Sequence, residues 1–221
     1  GVDLNTLDAV AARGGLLRPV PSGTFLVNDE MIADLVEGKR GMHASHLSAQ
    51  IGYDIAGKFG IPCYIVDPIS VDEFEPIARY TGHKEFERVM LCHALNMKAV
   101  AKRYAKEKSL DYNRLNLIVV HLGTGISVSV HQDGKMVDSI NSSEEGCFSP
   151  DRAGGLPVLQ AAQYMEKHNV DFKTFRKMIF GNGGLASYLG TKDFRKVAEM
   201  YSAGNAEAIE VVHAMVYQVA K

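Results

Sequence analysis

The chain has 221 residues, 24 Lys+Arg against 26 Asp+Glu, a formal net charge of -2, and 46% hydrophobic with 23% charged residues. That composition supports a globular core over one or two domains and excludes general disorder. No long run of one charge sign appears, so a nucleic-acid footprint or a polybasic membrane anchor has no support.

The first predicted element is a short apolar strand, Leu7 to Ala12, running into the loop Arg13-Gly14-Gly15. Asn28-Asp29-Glu30 predicts a helix start, because a capping side chain and two acids suit the unpaired N–H groups of a first turn. Met31, Ile32, Leu35 and Val36 give that helix its apolar side, and Gly38 ends it. A second helix is expected from Ser45, with Leu47, Ile51 and Ile55 as its apolar stripe and Gly60-Ile61-Pro62 as its stop. Cys63 to Val66 reads as a buried strand ending at Asp67-Pro68.

Residues Glu85 to Lys106 predict the longest helix, with Phe86, Val89, Met90, His93, Met97, Val100 and Tyr104 on one face. Leu117 to His121 is the next strand, Gly123-Thr124-Gly125 a turn, and Ile126, Val128 and Val130 alternate with Ser127, Ser129 and His131. Asp133-Gly134 is a two-residue hairpin signal, and Met136-Val137 continues the sheet. Beyond Asn141 to Gly146 the chain is glycine-punctuated and mostly helical. It stops inside the helical pattern Ala206 to Lys221, from which a piece of a longer protein is expected.

Cys63, Cys92 and Cys147 are odd in number and far apart. That suits reduced thiols in a cytoplasm better than a disulfide framework. The longest apolar stretch, Leu115 to Leu122, is far too short to span a bilayer, and the first residues lack a secretory layout. A cytoplasmic protein is expected.

Several residues could carry chemistry. The turn His121-Leu122-Gly123-Thr124-Gly125 exposes backbone N–H groups that suit phosphate, or it is a plain hairpin. Asp67 ends an apolar strand, where α/β sheets place ligand-facing groups, or it is a turn residue before proline. His93 on an apolar face is a catalytic candidate or, more commonly, a satisfied core residue. Arg13 beside Gly14-Gly15, and Arg152 in Asp151-Arg152-Ala153-Gly154-Gly155, either grip a carboxylate or phosphate or are solvated loop arginines. His43 and His46 have an H-x-x-H spacing without further ligands, which favours a structural or substrate-facing role over zinc.

In order and spacing, these segments resemble the butyrate kinases. The resemblance rests on Arg13-Gly14-Gly15-Leu16-Leu17-Arg18-Pro19, His43-Ala44-Ser45, Ile65-Val66-Asp67-Pro68 and His93-Ala94-Leu95-Asn96. It continues through His121-Leu122-Gly123-Thr124-Gly125 and Phe148-Ser149-Pro150-Asp151-Arg152-Ala153-Gly154-Gly155-Leu156-Pro157. Butyrate kinases stand with acetate kinases among actin-like ATPases. The resemblance therefore implies an α/β fold of duplicated ribonuclease H-like domains, a mixed sheet flanked by helices, with a nucleotide cleft between the domains. The expected division is 1–75 on the substrate side and 76–221 on the nucleotide side, with 85–106 as the linking helix. The family's initial phosphate turn and final adenosine loop do not occur in this sequence, so the fold is expected incomplete at both termini and the chain inactive alone.

The activity implied is reversible phosphoryl transfer between ATP and butyrate, with ADP and Mg2+. Acetate, propionate or isobutyrate are alternative acceptors, and a non-catalytic nucleotide- or partner-binding module is the alternative class. By resemblance, Arg13 holds the substrate carboxylate or acyl phosphate, Asp67 sits at the reacting carboxylate and meets the metal through water, and His93 donates to the migrating phosphoryl group. His43 assists and Arg152 is the transition-state arginine. His121, Gly123, Thr124 and Gly125 belong to a phosphate-binding hairpin, and Asp193, Phe194 and Arg195 touch adenosine. A homo-oligomer is implied, without nucleic acid or membrane.

Overall fold

Three short strands organise the first part of the chain: β1 (Val10–Ala12), β2 (Thr24–Leu26) and β3 (Cys63–Val66). They form a sheet in the order β1-β3-β2, with β1 parallel to β3 (Ala12 opposite Ile65) and β2 antiparallel to it (Thr24 opposite Val66). The computed structural model describes residues 3–41 and 44–221.

Helix α1 (Asp29–Glu37) starts as its sequence dictates: the Asn28 side chain accepts the Met31 N–H at 2.9 Å. Gly38 closes it in the left-handed conformation at φ 63°. Helix α2 (His46–Phe59) follows and ends on Gly60, also left-handed. Its inner face differs from the expected stripe: Leu47 and Ile51 are 59% and 57% exposed, whereas His46, Ala49, Gly52 and Ala56 are buried. The reason is close approach. A Cβ on Gly52 would lie 3.0 Å from the Ala12 Cβ and 3.2 Å from the Cys63 Sγ, so only small residues fit against the sheet.

The expected helix over 85–106 is corrected. Helix α3 spans Ala94–Glu107, and residues before it form a pinched loop in which Tyr80 bridges Glu87. The Arg88 N–H donates to the Arg79 carbonyl at 2.9 Å, and its guanidinium donates to the carbonyls of Ala78 and Ser139. Those bonds hold the backbone of 79–88 away from helix, and Phe86 and Val89 are exposed. The inner face of α3 is Ala94, Met97, Lys98, Ala101 and Ala105, with Val100 and Tyr104 outside.

Strands β4 (Leu117–Leu122), β5 (Ile126–Gln132) and β6 (Lys135–Asn141) form a second sheet in chain order. Asp133 and Gly134 both have positive φ, 51° and 75°, the hairpin geometry their sequence signals. Along β5 the polar residues Ser127, Ser129 and His131 are buried together with Ile126, whereas Val128 is half-buried and Val130 exposed.

The chain divides into two compact units, Gly1–Val119 with Ser129–Ser139, and Val120–Val128 with Ile140–Lys221. This division differs from the one expected at 75/76. Val71 and Phe74 share one core with Met90, Cys92, Met97, Tyr112 and Met136, so residues after 76 pack with the first unit. A separate cluster, including Leu35, Ala49, Cys63 and Ile65, lies between the first sheet and α2. The second unit contains α4 (Val158–Lys167), α5 (Phe172–Ile179), α6 (Leu185–Leu189), α7 (Phe194–Ser202) and α8 (Ala206–Ala220), and its core joins Ile126 and Cys147 to Leu185 of α6, Val197 of α7 and Met215 of α8. All three cysteines are free and buried. No helix among the described residues is long and apolar enough to cross a membrane.

Candidate active site

In the first unit, β1 and β3 run parallel and end side by side, so Arg13 and Asp67 leave the sheet at the same end of adjacent strands. Arg13 is exposed, and its N–H donates to the Ser48 Oγ of α2 at 3.0 Å. Gly14 lets the two exit loops touch, since a Cβ there would stand 2.7 Å from the Pro68 Cβ. Gly15 lies against the His46 ring with no room for a side chain. His46 Nε2 accepts the Leu16 N–H at 3.1 Å, and Nδ1 lies 3.1 Å from the Leu35 carbonyl. A carbonyl only accepts, so Nδ1 carries the proton and His46 anchors the Arg13 loop as a neutral ring. His43 lies outside the described residues.

Asp67 is 3% exposed and holds a left-handed backbone, φ 39°, which aspartate tolerates better than most residues. Its Oδ1 accepts the Gly23 N–H at 2.7 Å, its own N–H donates to the Gly23 carbonyl at 2.9 Å, and Lys102 Nζ lies 3.8 Å from Oδ2. His93 is the N-cap of α3, half-buried, and not the mid-helix residue expected. It starts the helix whose Lys102 reaches Asp67 nine residues later, a rise of roughly 13 Å along the axis.

No group of three or more His, Cys, Asp or Glu among the described residues could hold a metal ion. With Oδ1 committed to Gly23, Asp67 offers one oxygen. A single carboxylate fits Mg2+ when phosphates and water supply the other ligands.

In the second unit, the Gly123 N–H donates to the Gly125 carbonyl at 3.2 Å, closing the turn. His121 packs against Gly123, where a Cβ would lie 3.0 Å from Nε2, and burial holds its pKa below the usual value. The Ser149 hydroxyl donates to the Thr124 carbonyl at 2.7 Å. Arg152 lies over Gly125: a Cβ there would stand 2.6 Å from one guanidinium nitrogen and 2.8 Å from Cζ. The same guanidinium stacks 4.5 Å from the Phe180 ring centroid and donates to the Ser143 Oγ at 3.2 Å. Burial pushes the Arg152 pKa down, with Asp151 at 3.8 Å opposing. Arg152 Nε and Asp151 Oδ1 are buried without a hydrogen-bond partner. A desolvated guanidinium beside a glycine turn is poised for an anion.

A cavity of about 580 Å3 brings Gly123 and Thr124 together with Asp193 and Phe194, against Val212, Val216 and Val219 of α8. Asp193 caps α7, accepting the Arg195 N–H at 3.0 Å, and Arg195 folds back to pair with both carboxylate oxygens at 3.0 and 2.9 Å. Arg195 thereby holds the Asp193 pKa below the usual carboxylate range. Arg195 is not among the residues lining the cavity.

Sequence reasoning missed Ser22, Glu73, Lys98, Lys102 and the anchoring role of His46. Lys98 had a signal, a lysine among Ala94, Met97, Ala101 and Ala105 on an inner face. The apolar spacing that begins at Phe86 masks it.

The acetokinase family matches residues 82–221. The whole chain is 47% identical to a probable butyrate kinase of Coprothermobacter proteolyticus and spans 63% of that relative's length. It is 44% identical to a probable butyrate kinase of Listeria innocua serovar 6a and spans 62% of it. The crystal structure of Porphyromonas gingivalis acetate kinase superposes with a TM-score of 0.81 at 20% identity, over 96% of this chain and 56% of that one. A propionate kinase from Francisella tularensis subsp. tularensis gives 0.77 at 19% identity, over 96% and 58%. These likenesses establish the mixed α/β, actin-like fold that the sequence resemblance implied, present here over part of the length of those structures. The chain belongs to the acetokinase family.

Proposed function

We propose that this chain, in a protein of its relatives' length, transfers a phosphoryl group reversibly between ATP and butyrate. The observation that carries this reading is the exit of Arg13 and Asp67 at the same end of two adjacent parallel strands, their loops in contact at Gly14 and Pro68. In this reading the first unit serves the carboxylate and the second serves the nucleotide. A butyrate oxygen attacks the γ-phosphorus, the new O–P bond forms as the bridging P–O bond breaks, and ADP leaves.

Butyrate is already ionised near neutral pH, so no strong general base is needed. Arg13 would grip the carboxylate, and Asp67 would orient the reacting groups. His93 and Arg152 would donate to equatorial oxygens of the migrating phosphoryl group, with His43 assisting. Each preorganised donor of this kind is worth ~3–4 kcal/mol, and positioning with charge stabilisation supplies most of the acceleration. Magnesium, when bound, neutralises phosphate charge, and Asp67 would meet it through water. The cavity at Phe194 suits adenosine, with the Gly123–Gly125 turn facing phosphate and Asp193 and Arg195 at the nucleoside end. Self-association is proposed on the exposed apolar residues of α4 and α5, Val158, Leu159 and Phe172, and analytical ultracentrifugation checks it.

One methylene separates neighbouring acids by only ~1–3 kcal/mol. The test is therefore acyl phosphate formation by the full-length protein from ATP with acetate, propionate, butyrate and isobutyrate. Butyrate should give the highest kcat/KM; no acyl phosphate from any of the four would overturn the reading.

A further inference from the structure

Lys98 is wholly buried, with 0% of its side chain exposed, and it uses all three of its donors. Its Nζ lies 2.7 Å from Glu73 Oε2, 2.7 Å from the Ser22 Oγ and 2.8 Å from the Gly134 carbonyl. Glu73, its side chain 7% exposed, also accepts the Met136 N–H at 2.8 Å, the Ser22 N–H at 3.2 Å and the Ser22 hydroxyl. Ser22 thus accepts from the lysine and donates to the glutamate. The next residue, Gly23, makes both backbone bonds to Asp67, to its carboxylate and from its N–H.

A buried ion pair is weak evidence for stability, because apolar residues of similar volume serve about as well. What the charges add here is direction. They fix Ser22 from two sides, and Ser22 fixes the strand entry whose N–H holds Asp67 Oδ1. One turn beyond Lys98, on the same face of α3, Lys102 comes to the other carboxylate oxygen at 3.8 Å.

We propose that Ser22, Glu73 and Lys98 are positioning residues that set the Asp67 carboxylate for phosphoryl transfer. The inference rests on the reading of Asp67 given above. A carboxylate misplaced by about 1 Å costs on the order of 100-fold in rate, so a polar clamp one residue away is a kinetic device.

The experiment is a double-mutant cycle on the full-length protein, with acyl phosphate formation followed well below each variant's melting transition. Ser22→Ala removes the hydroxyl that bridges Glu73 and Lys98, and leaves their ion pair and the N–H bond of residue 22 to Glu73 in place. It should lower kcat by about 10- to 100-fold with the KM for ATP unchanged, and Ser22→Thr should restore turnover. In the Asp67→Asn background, assayed with more enzyme, Ser22→Ala should cause no further loss, because the two act as one unit. Lys98→Met, where it folds, should match Ser22→Ala and add nothing to it. Losses that multiply in the Asp67→Asn background, or a Ser22→Ala variant with unchanged kcat, would overturn this inference alone. An Asp67→Asn enzyme with undiminished turnover would overturn the reading of Asp67 and the inference with it.

Discussion

In the proposed function, the close fit of Gly125 beneath Arg152 matters more for turnover than for stability. A Cβ at residue 125 would meet the guanidinium at 2.6 Å, yet that group is the far end of a flexible side chain. Gly125→Ala should therefore barely change the melting temperature while lowering kcat by about 10- to 100-fold, since Arg152 must move aside. Steady-state kinetics beside thermal melts check both halves. His131 gives a pH prediction of known sign. Fully buried, with the hydroxyls of Tyr112 and Ser129 at 2.8 and 2.7 Å from its ring nitrogens, it has its pKa pushed down to about 4, first by burial and then by Lys98. The unfolded chain binds the proton first, so stability is full above pH 6.5 and falls as the pH drops towards 4. The loss reaches at most ~3 kcal/mol from this group. Urea midpoints across that range should fall more steeply for the native chain than for His131→Gln; parallel profiles would contradict the assignment.

Helix α2 shows where pattern reading succeeds and where it fails. Its ends were legible because glycine at Gly60 and a start near Ser45 are local signals, and α1 was legible from Asn28 and Gly38 for the same reason. Its inner face was not, because the stripe of Leu47 and Ile51 points outward and the packed face is small. Gly52→Leu should cost about 1–3 kcal/mol by overpacking against Ala12 and Cys63, whereas Leu47→Ala should stay within ~0.5 kcal/mol. Chemical denaturation distinguishes these, and a larger loss from Leu47→Ala would reverse the face assigned here. Helix α3 was misread for a different reason. Apolar spacing continues from Phe86 through Met97, while side-chain bonds of Thr81 and Arg88 hold residues 79–88 in a loop. Such bonds are long-range or depend on loop geometry, and periodicity does not register them. Lys98→Met should be correspondingly costly, about 3–5 kcal/mol, because it strands Glu73 in the core. Lys98 and the other donors hold Glu73 below its ordinary value against the opposing pull of burial.

Across the molecule, the residues singled out by motif fall into two sets. Arg13, Asp67 and His93 belong to the first unit, whereas His121, Gly123, Thr124, Gly125, Arg152, Asp193, Phe194 and Arg195 belong to the second. The sets were legible as motifs, and so was the fold class. Their support was not, because His46, Ser22, Glu73 and Lys98 gain meaning only from partners more than ten residues away. The compact units divide elsewhere than at 75/76, because one core joins Val71 and Phe74 to α3. The proposed function divides the labour, with the carboxylate on the first unit and the nucleotide on the second. Steady-state kinetics of full-length Arg13→Ala and Phe194→Ala, varying butyrate and ATP separately, test it most directly. Arg13→Ala should raise the KM for butyrate and leave that for ATP unchanged, and Phe194→Ala should do the converse; both variants weakening the same substrate, or neither weakening any, would contradict it.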